Sequence, residues 1–389
     1  MSVTAPKGFR AGAAAAGLKA SGALDVAVVV NDGPDAVAAG VFTANRVKAA
    51  PVLWSQQVLK GGVLRAVVLN SGGANACTGP KGFQDTHATA ELVAARVSAH
   101  GRLLIGAGEV AVCSTGLIGE LLPMDKLGKG VEQAIRALSP DGGADAARAI
   151  MTTDTRPKTT VVTNDGWSVG GMAKGAGMLA PGLATMLVVL TTDAVVDRST
   201  LDYSLRQATR VTFDRVDSDG AMSTNDTVLL LASGASGISP SLEALDRAVT
   251  MACHDLAMQL LADAEGSTKD VTIEVRSAAT EEDAVQVARA VARNNLVKTA
   301  LFGADPNWGR VLAAVGTTSA AFEPDQLDVA INDVWVCRNG AAAADRSTVD
   351  LKGRAVHIVI DLRAGDRTAT VWTNDLSLAY VHENSAYST

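Results

Sequence analysis

The segment Lys174-Gly-Ala-Gly-Met-Leu-Ala-Pro-Gly-Leu-Ala-Thr-Met-Leu-Val-Val-Leu190 joins two kinds of chain. Up to Gly182 it is small, glycine-rich and interrupted by Pro181, which excludes regular helix or strand. From Thr185 it becomes an unbroken apolar run of strand length. The pattern predicts a loop that delivers one hydroxyl, that of Thr185, to the first position of a buried strand. Such a placement suits self-cleavage. Thr185 Oγ attacks the carbonyl of Ala184, the acyl group moves from nitrogen to oxygen, and water releases the ester. The chain so freed begins with Thr185. Its α-amine titrates near pH ~8 and can act as general base for the hydroxyl on the same residue. A glycine-rich turn ahead of a core strand is the structural alternative, since short motifs of this kind recur by chance.

Thr115-Gly116 is a second candidate. It follows the apolar stretch Glu109 to Ser114, and glycine at a strand end lets a backbone N–H approach a ligand closely. The Thr115 hydroxyl and the Gly116 N–H together make two donors for an oxyanion, or a plain hydroxyl-glycine turn. Three other motifs fail. Gly175-Ala-Gly-Met-Leu-Ala180 fits a loose dinucleotide fingerprint, but Pro181 and Gly182 stand where its helix must propagate. No G-x-x-x-x-G-K-[ST] phosphate loop occurs. Arg215-Val-Asp-Ser-Asp-Gly220 puts arginine where a calcium loop needs an acidic ligand.

The elements that must hold these residues alternate in α/β style. Leu24 to Val30, Gly40 to Thr43 and Arg65 to Leu69 read as strands, the last running into the turn-rich Asn70-Ser-Gly-Gly-Ala-Asn75. Asp85 to His100, Met124 to Leu138 and Ala144 to Ile150 read as helices. The polar stretch Thr152 to Pro157 is a loop. Thr160 to Thr163 and Trp167 to Met172 form a hairpin through Asn164-Asp-Gly166, which leads to Lys174. Ser199 to Thr209 is a helix capped by Ser199 or Thr200. Thr227 to Ala232 is a strand and Ser241 to Leu261 a long amphipathic helix ending at Asp263-Ala-Glu-Gly-Ser-Thr-Lys269. Val271 to Val275, a helix Glu281 to Leu296, and the strands Val334 to Arg338, His357 to Leu362, Thr368 to Trp372 and Ala379 to His382 complete the chain.

The 389 residues carry a net charge of −7, 48% hydrophobic and 4% aromatic residues. With no basic run, a nucleic-acid or anionic-membrane surface is not expected. Abundant small residues favour helices packed closely on sheets. Cys77, Cys113, Cys253 and Cys337 lie far apart, as do the five histidines, so neither disulfides nor a metal set is expected. No signal-peptide core or membrane span is visible, and the expected location is the cytoplasm.

These motifs resemble, in order, those of the ornithine acetyltransferase family, the bifunctional arginine-biosynthesis glutamate N-acetyltransferases. The resemblance rests on Ala5-Pro-Lys-Gly-Phe9, Thr43-Ala-Asn45 with Ala49-Ala-Pro-Val52, Asn70 to Asn75, Ser114-Thr-Gly116, Met151-Thr-Thr-Asp-Thr155, the Lys174 to Leu190 segment, Asp263 to Lys269, and His382-Glu-Asn-Ser-Ala-Tyr-Ser-Thr389. It spans the whole chain. It implies layered sheets flanked by helices, of the N-terminal-nucleophile type, with a β-rich C-terminal subdomain from about residue 280. It implies cleavage between Ala184 and Thr185 into fragments 1–184 and 185–389, and assembly as a heterotetramer of two of each. Thr185 would be the nucleophile and Thr115 with Gly116 the oxyanion hole. Thr152, Lys174, Thr185, Glu265, Asn384 and Thr389 would contact substrate. The implied reaction moves acetyl from N-acetylornithine to glutamate without a resident cofactor, with acetyl-CoA a co-substrate in part of the family. An N-terminal-nucleophile aminopeptidase or amidase of similar architecture is the alternative enzyme. A non-catalytic amino-acid-binding protein that never cleaves is the alternative of another class.

Overall fold

The computed structural model describes residues 2–100, 103–180 and 186–386. The first half holds β1 (Phe9–Ala14), β2 (Val26–Asn31), β3 (Val37–Phe42), α1 (Ala50–Val58), β4 (Ala66–Gly73), α2 (Gly79–Ala99), β5 (Val110–Leu117), α3 (Met124–Arg136), α4 (Gly143–Ala149), β6 (Lys158–Thr163) and β7 (Ser168–Lys174). The second holds β8 (Leu187–Thr192), α5 (Arg198–Val211), β9 (Thr227–Ala232), α6 (Leu242–Ala262), β10 (Asp270–Ala278), α7 (Glu281–Ala292), α8 (Asn295–Phe302) and α9 (Trp308–Val315). It continues through β11 (Asp328–Ile331), β12 (Val334–Arg338), β13 (Ala341–Ala342), β14 (Ala355–Asp361), β15 (Arg367–Asn374) and α10 (Leu378–Ala386).

Strands β2, β8 and β9 are buried at every position, so both their faces must be covered. Two sheets stack to cover them. One has the order β1-β2-β4-β5 and the other β3-β9-β8-β7-β6. Ala27, Val29 and Leu69 of the first meet Met172, Val189 and Leu229 of the second. The outer face of the first sheet, through Val28 and Val68, packs on Val93 of α2 and Val131 of α3. The outer face of the second, through Val188 and Leu230, packs on Leu205 of α5 and Leu256 of α6. The result is a helix–sheet–sheet–helix stack. The architecture is α/β with layered sheets flanked by helices, as the family resemblance implies.

The second sheet interleaves both halves of the chain. Lys174 in β7 pairs with Leu187 in β8, and β3 pairs with β9. Each buried valine or leucine in these layers contributes about 1.5–3 kcal/mol relative to exposure. A break between β7 and β8 therefore leaves the halves held by the core.

A third, six-stranded sheet, β13-β12-β11-β14-β10-β15, is covered on one face by α7, α8 and α9. This is the β-rich C-terminal subdomain. Its first strand, β10, starts at Asp270.

Several local expectations change. The helix expected over Glu281 to Leu296 is two, because the Asn294 side chain accepts Val297 N–H and starts a new helix. The strand expected over Ala379 to His382 is part of α10, begun by Ser377 Oγ, which accepts Tyr380 N–H at 3.0 Å and donates to Gly266 O. Helix α5 is capped by Asp197 rather than Ser199 or Thr200. Helix α2 starts at Gly79, with Pro80 in its first turn, where its missing N–H costs nothing.

Candidate active site

Strands β4 and β5 run parallel, with Ser71 opposite Thr115 and Gly72 opposite Gly116. The expectation that β5 ends at Ser114 is corrected: it continues to Leu117, so the Thr115-Gly116 pair lies within the ladder. Gly116 has φ +126°, and a Cβ there would stand 2.6 Å from the Gly72 carbonyl carbon and the Gly73 nitrogen. Only glycine fits, and its backbone borders a partly open cleft. The Asn225 side chain ties the rim together, donating to Ala74 O at 2.6 Å and Ser114 O at 2.8 Å.

Lys174 closes β7 and reaches the same cleft, 2% exposed. Its Nζ donates to Thr115 Oγ1 at 3.3 Å. The Thr115 oxygen is then the acceptor, and its own O–H is left to donate. Burial lowers the Lys174 amine from its ordinary value, and Asp154 opposes that most strongly. Past Lys174 the chain turns sharply, with Met178 at φ +55° and its N–H on Asp219 Oδ2 at 2.6 Å. Gly177 lies against Glu265: a Cβ there would fall 2.5 Å from Glu265 Oε2. Glu265 N–H in turn donates to Ala176 O at 2.9 Å. From α10, Asn384 Nδ2 donates to Glu265 Oε2 at 3.0 Å. Thr152 enters from the loop after α4, its N–H held by Asp154 Oδ2 at 2.9 Å.

Thr115, Gly116, Thr152, Lys174, Glu265 and Asn384 thus line one cleft. Ala184, Thr185 and Thr389 lie outside the described residues. β8 begins two residues after Thr185. The cleft offers two donors for a developing oxyanion, one buried amine suited to a carboxylate, and one carboxylate suited to a cationic or protonated nitrogen.

The sequence reading missed three groups. Asn225 is one. Asp154 lay inside a quoted motif without a role; its signal was a carboxylate two residues after a candidate hydroxyl. Asp226 is fully buried, takes Met186 N–H on Oδ1 at 3.1 Å, and leaves Oδ2 without a hydrogen bond among the described residues. Burial pushes its carboxyl well above the ordinary range, against the Met186 N–H and the nearby Ser223, Lys174 and Thr43 side chains. Nothing in the sequence marks it, because its burial comes from two sheets meeting.

Comparison with known proteins bears on this cleft. The model of the ArgJ family matches residues 10–389. The chain is 69% identical over 388 residues to the arginine biosynthesis bifunctional protein ArgJ of Streptomyces avermitilis, covering 100% of both. The chain belongs to the ArgJ family. Its identity to the ArgJ protein of Mycobacterium tuberculosis is 61%, over 99% of this chain and 96% of that one. A solved chain of ornithine acetyltransferase with ornithine, from the same organism, is 64% identical; the match covers 48% of this chain and 96% of that chain, at a TM-score of 0.46. The ArgJ match takes in all six residues gathered at the cleft.

Proposed function

We propose that this cleft moves an acetyl group from N²-acetylornithine to glutamate through an acetyl ester on Thr185. As a member of the ArgJ family the chain is an enzyme of arginine biosynthesis, a glutamate N-acetyltransferase. The observation that carries the site reading is the convergence of Thr115, Gly116, Thr152, Lys174, Glu265 and Asn384 on one cleft near the head of β8.

Cleavage between Ala184 and Thr185 yields fragments 1–184 and 185–389 and frees the Thr185 α-amine. That amine takes the hydroxyl proton as Thr185 Oγ attacks the acetyl carbonyl of N-acetylornithine. The oxyanion is met by Thr115 Oγ–H and Gly116 N–H. The C–N bond breaks, ornithine leaves with the proton, and the acetyl ester remains. Glutamate enters the same cleft, its α-nitrogen attacks the ester, and N-acetylglutamate departs as the Thr185 hydroxyl is restored. Donor and acceptor both carry an α-carboxylate, for which Lys174 is the counter-charge, and an α-nitrogen, for which Glu265 is a neighbouring carboxylate. Asn384 holds Glu265 in place, and Thr152 and Thr389 contact substrate.

The reading extends to acetyl-CoA as a second donor, in line with the word bifunctional in the relatives' names, and to a heterotetramer of two copies of each fragment. It places the enzyme in the cytoplasm. Among the described residues no helix is long and apolar enough to cross a membrane. The test is an acetyl-transfer assay from N-acetylornithine to glutamate on protein whose fragments have been checked by denaturing gel. Thr185→Ala should abolish both processing and transfer. Release of free acetate with no N-acetylglutamate would instead indicate a hydrolase.

A further inference from the structure

Next to the substrate cleft lies a buried set of charges. Lys158 is buried and donates to Asp154 Oδ1 and Asp263 Oδ2, each at 2.6 Å. Asp263 also takes Thr155 N–H at 3.0 Å and the Thr155 hydroxyl. Asp154 does more. One oxygen takes Gly175 N–H at 2.7 Å, the residue after Lys174; the other takes Thr152 N–H at 2.9 Å. A single carboxylate therefore fixes Thr152 and the main chain next to Lys174. Through Lys158 and Asp263 it also reaches the end of α6, two residues before Glu265.

The charges make sense as a unit. The Lys174 amine is buried, and among the described residues its Nζ has only the neutral Thr115 oxygen within hydrogen-bond distance. A buried ammonium needs a counter-charge. Around it stand the carboxyl groups of Asp154, Asp226 and Glu265 and the amines of Lys158 and Lys19. Asp154 acts on it most strongly among the acids. Burial pushes the Asp154 carboxyl up, but Lys174, Lys158 and the Gly175 N–H hold it below its ordinary value overall.

We propose that Asp154, braced by Lys158 and Asp263, is a positioning residue that keeps Lys174 a fixed cation for the substrate α-carboxylate. This rests on the proposed reading of Lys174 as the carboxylate anchor. Asp154 touches neither substrate nor the reacting atoms; it acts through Lys174 and Thr152.

The experiment is a pH profile of acetyl transfer, with KM and kcat separated, for the unaltered processed enzyme, for Asp154→Asn and for Lys158→Met. Transfer by the unaltered enzyme checks the underlying reading first; its absence would overturn that reading and, with it, this role for Asp154. In Asp154→Asn the amine loses its main counter-charge and releases its proton more easily. The alkaline limb of kcat/KM should move to lower pH by about one unit, and KM for glutamate should rise about tenfold or more, while kcat changes less. Lys158→Met removes a neighbouring positive charge, so the limb should move the opposite way. Limbs that stay where they are, or that move together in one direction, would overturn the proposal and leave a purely structural brace. If Asp154→Asn does not fold, Asp154→Glu replaces it. The retained charge should then leave the limb near its original pH, and a limb displaced downward would contradict the assignment.

Discussion

Lys174 and Lys298 are both buried lysines, 2% and 5% exposed, in regions with opposite arrangements. Lys298, in α8, spends all three N–H groups on fixed partners: Ser218 O at 2.7 Å, Thr373 Oγ1 at 3.1 Å, and Asn374 O. It joins the loop after α5 to the end of β15, locking the C-terminal sheet onto the layered stack. Lys174 has one long hydrogen bond to a described residue and borders an open cleft. Burial is similar, but the donors of Lys298 are all satisfied by fixed partners, whereas Lys174 faces the cleft and on the proposed reading meets a ligand there.

The largest effect is expected of Lys298→Met. It leaves the Ser218 and Asn374 carbonyls and the Thr373 hydroxyl without the donor they share, and each buried acceptor so orphaned costs about 1–3 kcal/mol. Thermal unfolding should show a large drop in Tm, with transfer per folded molecule unchanged; an unshifted Tm would refute the structural role. The pH dependence of stability gives a second test. Burial lowers the Lys298 amine to about 8 from an ordinary 10.5, against the pull of Asp219, Asp217 and Asp375. Between these values the unfolded chain holds the proton and the folded chain has lost it, so stability from this group rises with pH. At about 1.4 kcal/mol per unit, denaturant titrations should find the gap between wild type and Lys298→Met widening by up to about 3 kcal/mol from pH 8 to pH 10.

At the other lysine the order reverses. Lys174→Met should leave Tm nearly unchanged and lower kcat/KM about a hundredfold, the loss expected of a charge-assisted contact of about 3 kcal/mol. A collapse of stability with normal turnover would put Lys174 in the same class as Lys298. The smallest expected effect is at the rim. Asn384→Ala removes one hydrogen bond to Glu265, about 1 kcal/mol, and should raise KM several-fold with the fold intact.

Much of this was legible because local chemistry and global fold agree. Asn164-Asp-Gly166 turns the hairpin β6–β7 at Gly166, φ +81°, and the apolar run after Thr185 is the buried strand β8. The amphipathic helix expected from Ser241 is α6, with the Ser241 side chain as its N-cap. The failures share a cause. Ala379 to His382 is rich in strand-forming residues, yet it is helical because Ser377 caps it and its backbone packs against Gly266. The break at Asn294 is likewise decided by one side-chain hydrogen bond. In the cleft, hydroxyls and glycines next to strand ends could be read from the chain. The Lys158–Asp154–Asp263 brace could not, since Asp263 joins the sequence-near Asp154 and Lys158 only through tertiary packing.

In the proposed reaction acetyl resides on the first residue of the second fragment. Intact-mass analysis of purified enzyme mixed with N-acetylornithine in the absence of glutamate tests it directly. The expected result is two fragments divided at Ala184–Thr185, with one acetyl group on the fragment that begins at Thr185 and its loss when glutamate is added. An active enzyme that remains a single polypeptide, or an acetyl group that never appears on that fragment, would contradict it.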